Sequence, residues 1–362
     1  MGWQAVLFFC GVPAESAGAT PHAGATSENY LSTNRAWLMT HPTTPEISFV
    51  VIGYNEGIHL RAALRSVQQC ALHEERYELI YVDGGSTDGS MQTAREMGVD
   101  QVLGGDRRRR AAENRNLGLA AARGEFVQFL DGDMELHPAW PETALSLLQE
   151  KPEVACVFGE LEEKRNNVFY DALQLDWDMP EGPALFCGGA AMWRREVLQK
   201  LGGFPEDVSY GEEPYVCWRC RRELKQQVWH MHRRMALHDL AYTGFLDYWR
   251  RNEHVGVAYA EIAARCAGGS DKFWSAEVKQ NLRWGLALSL MLLAFVFGGG
   301  LIKGVALLAL LIIIGRKTHQ TLQREVEFEV ALIYAVHTYL CKLGIAWGIV
   351  KQHWKARKPA AG

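Results

Sequence analysis

The chain has 362 residues, 48% of them hydrophobic and 22% charged, with a formal net charge of −4. That length carries one large core or two smaller ones, and the acidic balance lacks the basic footprint of a nucleic-acid binder. Its eight cysteines, from Cys10 to Cys341, are scattered rather than spaced as a disulfide framework, which favours a reducing compartment.

Residues 1–45 are rich in Gly, Ala, Thr, Pro and Ser and read as a disordered leader, with Met39 a plausible true start. The apolar stretch Ala5–Val12 lacks the preceding Lys or Arg of a secretory signal. From Ile47 the pattern alternates. The continuous apolar run "ISFVVIGY" (47–54) predicts a buried parallel strand, and helical periodicity follows from Gly57 to about Cys70. Next come a strand at "YELIYVDGG" (77–85), a helix from near Thr87, a short strand at "QVLGG", and a helix over Ala111–Arg123. The stretch "EFVQFLDGDMEL" (125–136) is then an apolar strand that ends in Asp131 and Asp133.

This alternation predicts an α/β fold with a mostly parallel sheet, helices on both faces, and a ligand site beyond the carboxyl ends of the strands. Three polar clusters fall at those ends: Tyr54-Asn55-Glu56, Asp83 to Asp88, and Asp131-Gly132-Asp133. Two carboxylates on one turn repel each other, and a divalent cation with oxygen ligands, Mg²⁺ or Mn²⁺, relieves the repulsion most simply. An isolated D-x-D is more often a solvated turn. Its position after a buried strand, third in a series of such clusters, favours the metal.

The order of motifs resembles the family-2 glycosyltransferases of the GT-A fold, a nucleotide-diphospho-sugar transferase fold. The resemblance runs from about Ile47 to His254 through "VVIGYNEG", "VDGGSTDGS", "ENRNLGLAAARGEFVQFLDGDM", "CGGAAMWRREVLQKLGGF", "GEEPYVCWRCRR" and "LHD". It implies a nucleotide-sugar donor bound by Tyr54, Asn55, Glu56, Asp83, Arg115, Asn116 and Asp131. Asp83 would accept from the nucleobase, and Gly84 stands where relatives often carry a second Asp. Asp133 would hold the cation, Asp131 the ribose or a metal-bound water. His238 would complete the coordination, with a packed core histidine as the equal alternative. An inverting transfer needs a carboxylate base; by the same resemblance it is Glu213, with Glu212 beside it. Gly188 and Gly189 would line the acceptor loop. The Arg107–Arg110 run reads as a solvated basic loop rather than a phosphate clamp, and zinc at Cys217, Cys220, His230 and His232 is disfavoured.

Residues 46–270 are expected to form the catalytic domain, 271–327 a linker and membrane hairpin, and 328–362 an amphipathic or transmembrane helix with a basic tail. The apolar blocks Leu286–Phe297 and Val305–Ile314 reach only about 15 residues each with their flanks, against about 20 for a span. Arg283 before them and Arg316-Lys317 after them put both ends on the cytoplasmic side. The segment Phe328–Val350 carries Glu329, His337 and Lys342 and ends in "KQHWKARK", so an interfacial helix is preferred to a spanning one. The function expected is inverting, metal-dependent sugar transfer to a glycan or lipid-linked acceptor at the cytoplasmic face of the inner cell membrane, in cell-surface polysaccharide synthesis. A catalytically silent nucleotide-binding scaffold and a D-x-D phosphohydrolase are the alternatives. Glu135 disfavours the second.

Overall fold

The computed structural model describes residues 44–357; Met39 and nearly all of the expected leader lie outside them, as does the end of the basic tail. The elements run β1 (Ile47–Gly53), α1 (Ile58–Gln68), β2 (Tyr77–Asp83), α2 (Ser90–Glu96), β3 (Gln101–Gly104), α3 (Ala111–Ala121), β4 (Phe126–Asp131), β5 (Met134–Leu136) and α4 (Trp140–Glu150). They continue with β6 (Val154–Glu163), α5 (Val168–Gln174), β7 (Gly182–Ala184), β8 (Ala191–Arg194), α6 (Arg195–Leu201), α7 (Glu212–Arg219), β9 (Gln227–His238) and α8 (Phe245–Arg265). Three long helices close the chain: α9 (Ser275–Phe297), α10 (Gly300–Leu322) and α11 (Phe328–Arg357).

One nine-stranded sheet has the order β3-β2-β1-β4-β8-β6-β9-β5, with β7 also on β9. Every residue of β1, β2 and β4 is buried, as expected of strands covered on both faces. Burying each of Phe49, Val50, Val51 and Ile52 stabilises the fold by about 1.5–3 kcal/mol. The β3-β2-β1-β4 half is parallel throughout. Beyond it β8 runs antiparallel to both β4 and β6, and β9 is parallel to β6 but antiparallel to β5 and β7. The sheet is therefore mixed. The run of strands joined to a parallel neighbour through a helix stops at β4, where β8 enters beside it in the opposite direction.

The helices α9 and α10 are each longer than their apolar blocks, because their outer turns pack on the body of the protein. By length and composition α9 and residues Phe328–Ala356 are apolar enough to cross a membrane. Burial separates them: 17% of the apolar window of α9 is buried, against 50% for the last helix. One face of α11 docks on α8, α9, α10 and α5, while Leu332, Val336, Trp347, Val350 and Trp354 stay exposed. The hairpin from Leu286 to Ile312 projects with exposed Leu290, Leu293, Phe297, Leu301, Leu308 and Leu311.

Candidate active site

Parallel register aligns the three strand ends, with Gly53 beside Asp83 and Ile52 beside Asp131. The loops that follow are stitched together. Asn55 Oδ1 accepts from the Thr87 N–H (2.8 Å), Ser86 Oγ from the Asn55 N–H (2.9 Å), and Asp88 Oδ2 from the Gly57 N–H (2.8 Å). Asp83 ends β2. Its carboxylate is fully buried and accepts from Tyr81 Oη (2.9 Å) and from the N–H groups of Gly85 (2.9 Å) and Ser86 (2.7 Å). It shapes the loop that follows β2. Tyr54, Asn55 and Glu56 do line a cleft, and the Arg108 guanidinium covers the Tyr54 ring 3.5 Å from its centroid.

The antiparallel pairing of Met134 with His238 brings β9 against the end of the D-x-D turn. His238 Nε2 lies 3.7 Å from Asp133 Oδ2. Burial holds the His238 imidazole neutral, with its pKa lowered to about 3, so it offers a nitrogen lone pair rather than a charge. Burial, with Glu56 and Asp131 adding repulsion, raises the Asp133 carboxyl well above the usual carboxylate range. Burial pushes Glu56 up to about 7. Carboxylates crowded this way, beside a neutral imidazole, fit a hard divalent cation such as Mg²⁺ or Mn²⁺. Among the described residues no three ligating side chains converge on one point, so Asp133 and His238 would leave most positions to water and substrate oxygens.

Arg115 is the hub of the acidic cluster. Its guanidinium is buried and meets Asp131 Oδ1 at 3.0 Å, Glu212 Oε1 at 2.9 Å and Glu213 Oε1 at 2.9 Å. Through its two Nη groups it braces β4 against the first turn of α7. Asn116 follows it on α3. Its amide donates to Phe204 O (2.8 Å) and Glu206 Oε1 (2.8 Å) and accepts from the Phe204 N–H (2.8 Å), clamping the loop after α6. Burial, reinforced by Glu212 and Asp131 and opposed by Arg115, raises Glu213 to about 8.

Gly189 lies so close that a Cβ there would stand 2.5 Å from both Arg115 Nη2 and Asp131 Oδ2, so any larger residue would have to displace that ion pair. Gly188 beside it is partly exposed. Cys187, one residue earlier, has its Sγ 3.5 Å from that of Cys217 on α7, one turn beyond Glu213. The loop that carries both glycines is thereby held to the helix that carries the acids.

The cleft, about 380 Å³, has Asp133, Glu56 and His238 on one side. On the other, α8 supplies Arg250, Arg251 and His254. Arg251 forms no ion pair among the described residues, yet draws the Asp133 carboxyl down and pushes His238 further toward neutrality. Sequence reasoning missed it. The signal was the clustering of Arg250, Arg251 and His254 on one helix face in "YWRRNEH". The neighbouring arginines are tied elsewhere: Arg107 to Glu113 (2.7 Å), Arg109 to Asp106, and Arg110 to Val208 O (3.1 Å).

The model of the family described as Glycosyl transferase family 2 matches residues 48–202. Among curated relatives, glycosyltransferase AglE of Haloferax volcanii is 30% identical over 110 residues, 29% of this chain and 36% of that protein. A GalNAc(5)-diNAcBac-PP-undecaprenol beta-1,3-glucosyltransferase of Campylobacter jejuni is 33% identical over 132 residues, 34% of this chain and 41% of that protein. The chain thus spans well under half the length of these relatives. The mannosyltransferase PcManGT of Pyrobaculum calidifontis, solved with GDP-Man and Mn²⁺, superposes with a TM-score of 0.55 at 21% identity, covering 86% of this chain and 94% of that one. That similarity establishes the fold. With the D-x-D turn, the stitched loops and the acid-bearing helix at one end of the sheet, residues 48–202 match the family-2 glycosyltransferase domain and the chain has a GT-A-like fold.

Proposed function

We propose that the protein is a metal-dependent, inverting glycosyltransferase that moves a sugar from a nucleotide-sugar donor to a glycan or lipid-linked acceptor. One observation carries the reading: a single cleft joins the crowded Asp133–His238 pair to the cationic face of α8, with the buried Glu213 carboxyl one Arg115 away from Asp131. Anion-binding and cation-binding groups facing each other suit a diphosphate bound through a cation. A bound Mg²⁺ or Mn²⁺ at Asp133 and His238 supplies Lewis acidity and a template toward the diphosphate. Arg251 and Arg250 add fixed positive charge where the leaving group gathers negative charge.

Glu213 is the base that takes the acceptor hydroxyl proton, with Glu212 as its neighbour; the hydroxyl oxygen bonds to the anomeric carbon as the bond to the diphosphate oxygen breaks. Tyr54, Asn55 and Glu56 bound the donor side, and Gly188 and Gly189 the acceptor side. The undecaprenol-linked acceptor in the Campylobacter relative's name favours a lipid-linked acceptor for this chain too. Attachment would come from the α9–α10 hairpin and the exposed apolar stripe of α11, at the cytoplasmic face where nucleotide sugars are made. Residues 46–270 are then the catalytic domain and residues 271–362 its membrane anchor.

The test is a panel of UDP-, GDP- and dTDP-sugars with Mn²⁺, read by thermal shift and by release of nucleoside diphosphate. Donor binding raises the melting temperature by mass action. Metal-dependent binding without turnover in the presence of membrane lipid acceptors would indicate the silent scaffold, and cleavage of the donor by water to nucleoside monophosphate and sugar phosphate the phosphohydrolase.

A further inference from the structure

The last helix docks on the catalytic domain through a buried polar chain that none of the reaction groups uses. His337 of α11 has Nδ1 2.8 Å from Tyr248 Oη on α8 and Nε2 3.0 Å from Asp176 Oδ2, just beyond α5. Tyr334 Oη donates to Asp176 Oδ1 (2.7 Å). A carboxylate only accepts, so Nε2 carries a proton toward Asp176, and in the neutral ring Nδ1 then accepts from the Tyr248 hydroxyl. Tyr248, His337 and Tyr334 are all buried, and none of the four side chains lines the cleft.

The same helix pair is locked further along. A Cβ at Gly256 would come 2.0 Å from Ile345 O, and one at Gly348 2.0 Å from Glu253 O, so the two backbones touch. Lys351 pairs with Glu253 at the far end. Glycine contact fixes how close the helices lie but tolerates sliding and rotation; hydrogen bonds between defined atoms do not. Apolar side chains would fill the same space at less desolvation penalty, so the polar chain is explained by the one arrangement it selects. Tyr248 precedes Arg251 by three residues, on an adjoining face of α8.

We infer that Asp176–His337–Tyr248 is a positioning relay that sets the rotation and register of α8, so that Arg251 faces Asp133 and meets the donor diphosphate. The inference rests on the donor-site reading above. Since α11 follows directly from the membrane hairpin, the geometry of the cleft and the attachment of the protein are coupled through His337.

The test uses the full chain in detergent, with Mn²⁺, and measures binding of UDP and GDP against uridine and guanosine. It compares wild type, Tyr248→Phe, His337→Leu, Arg251→Ala and the Tyr248→Phe/Arg251→Ala double variant. Tyr248→Phe keeps the ring and removes one hydroxyl, so it stays informative if His337→Leu fails to fold. The relay predicts about tenfold weaker diphosphate binding in Tyr248→Phe, unchanged nucleoside binding, a raised donor KM at nearly constant kcat, and no further loss in the double variant. A Tyr248→Phe protein that only melts earlier, or losses that add in the double variant, overturns it. A wild-type chain that binds neither diphosphate overturns the donor-site reading and the relay with it.

Discussion

Arg115 and Glu213 lie 2.9 Å apart, both buried, and the same guanidinium reaches Asp131 at 3.0 Å. The proposed base and the D-x-D turn thus share one counter-charge. Arg115→Met would leave three buried carboxylates uncompensated and should destabilise the fold by about 3–5 kcal/mol, read as a lower denaturant midpoint. Arg115→Lys should recover little, since one ammonium cannot fork between β4 and α7. A stable Arg115→Met protein with weakened donor binding would return Arg115 to the nucleotide-facing role.

Asp133 sits where burial, Glu56 and Asp131 all oppose its charge. Asp133→Asn removes that repulsion, so the protein without metal should melt at the same temperature as wild type or slightly higher. The Mn²⁺-dependent rise with donor should vanish. A variant that binds Mn²⁺ and donor as tightly as wild type would remove Asp133 from the metal assignment.

Glu213 gives a pH prediction with a definite sign. Its pKa is raised to about 8, so below that pH the carboxyl is protonated and cannot act as a base. Activity, kcat/KM, should rise about tenfold per pH unit on the acid side and level off above about 8. Glu213→Gln should lower turnover by roughly 10²–10⁴-fold and flatten that limb, with donor binding nearly unchanged. A larger loss from Glu212→Gln would reverse the order of the pair.

The strands whose ends carry the site were legible because β1, β2 and β4 are uninterrupted apolar runs that stop at polar clusters. Motif order left His238 either beside Asp133 or packed in the core, and it is the Met134–His238 pairing that sets its ring 3.7 Å from Asp133. Partnerships across long separations were not legible. Arg115 reaches Glu212 across 97 positions, and Asn116 reaches Phe204 across 88; a motif names the residue but not what will saturate it. Arg251 was hidden because a charged helix face reads as solvated until a cleft is seen in front of it. The composition of α11 suggested a helix meeting the membrane on its own, and only packing revealed that its glycines seat it on α8.

Membrane attachment supplies the last prediction. The projecting part of the hairpin, Leu286–Phe297 with its return strand of helix, is about 18 Å long at 1.5 Å per residue, against a hydrocarbon core of about 30 Å. It matches one leaflet. The opening turns of α9 cannot add to this depth, since Asn281 and Gly285 are buried against the protein body. Lys303, exposed one turn past the tip, must then ride inward at about 2.5–3.5 kcal/mol for a lysine at the bilayer centre. Lys303→Leu should therefore tighten binding to phospholipid vesicles, whereas Phe297→Glu with Leu301→Glu should release the protein while the catalytic domain melts unchanged. Weaker binding of Lys303→Leu would mean that the ammonium reaches the far headgroups and the hairpin spans. Labelling of a cysteine at Gly299 by an impermeant thiol reagent on intact cells would show the same from outside.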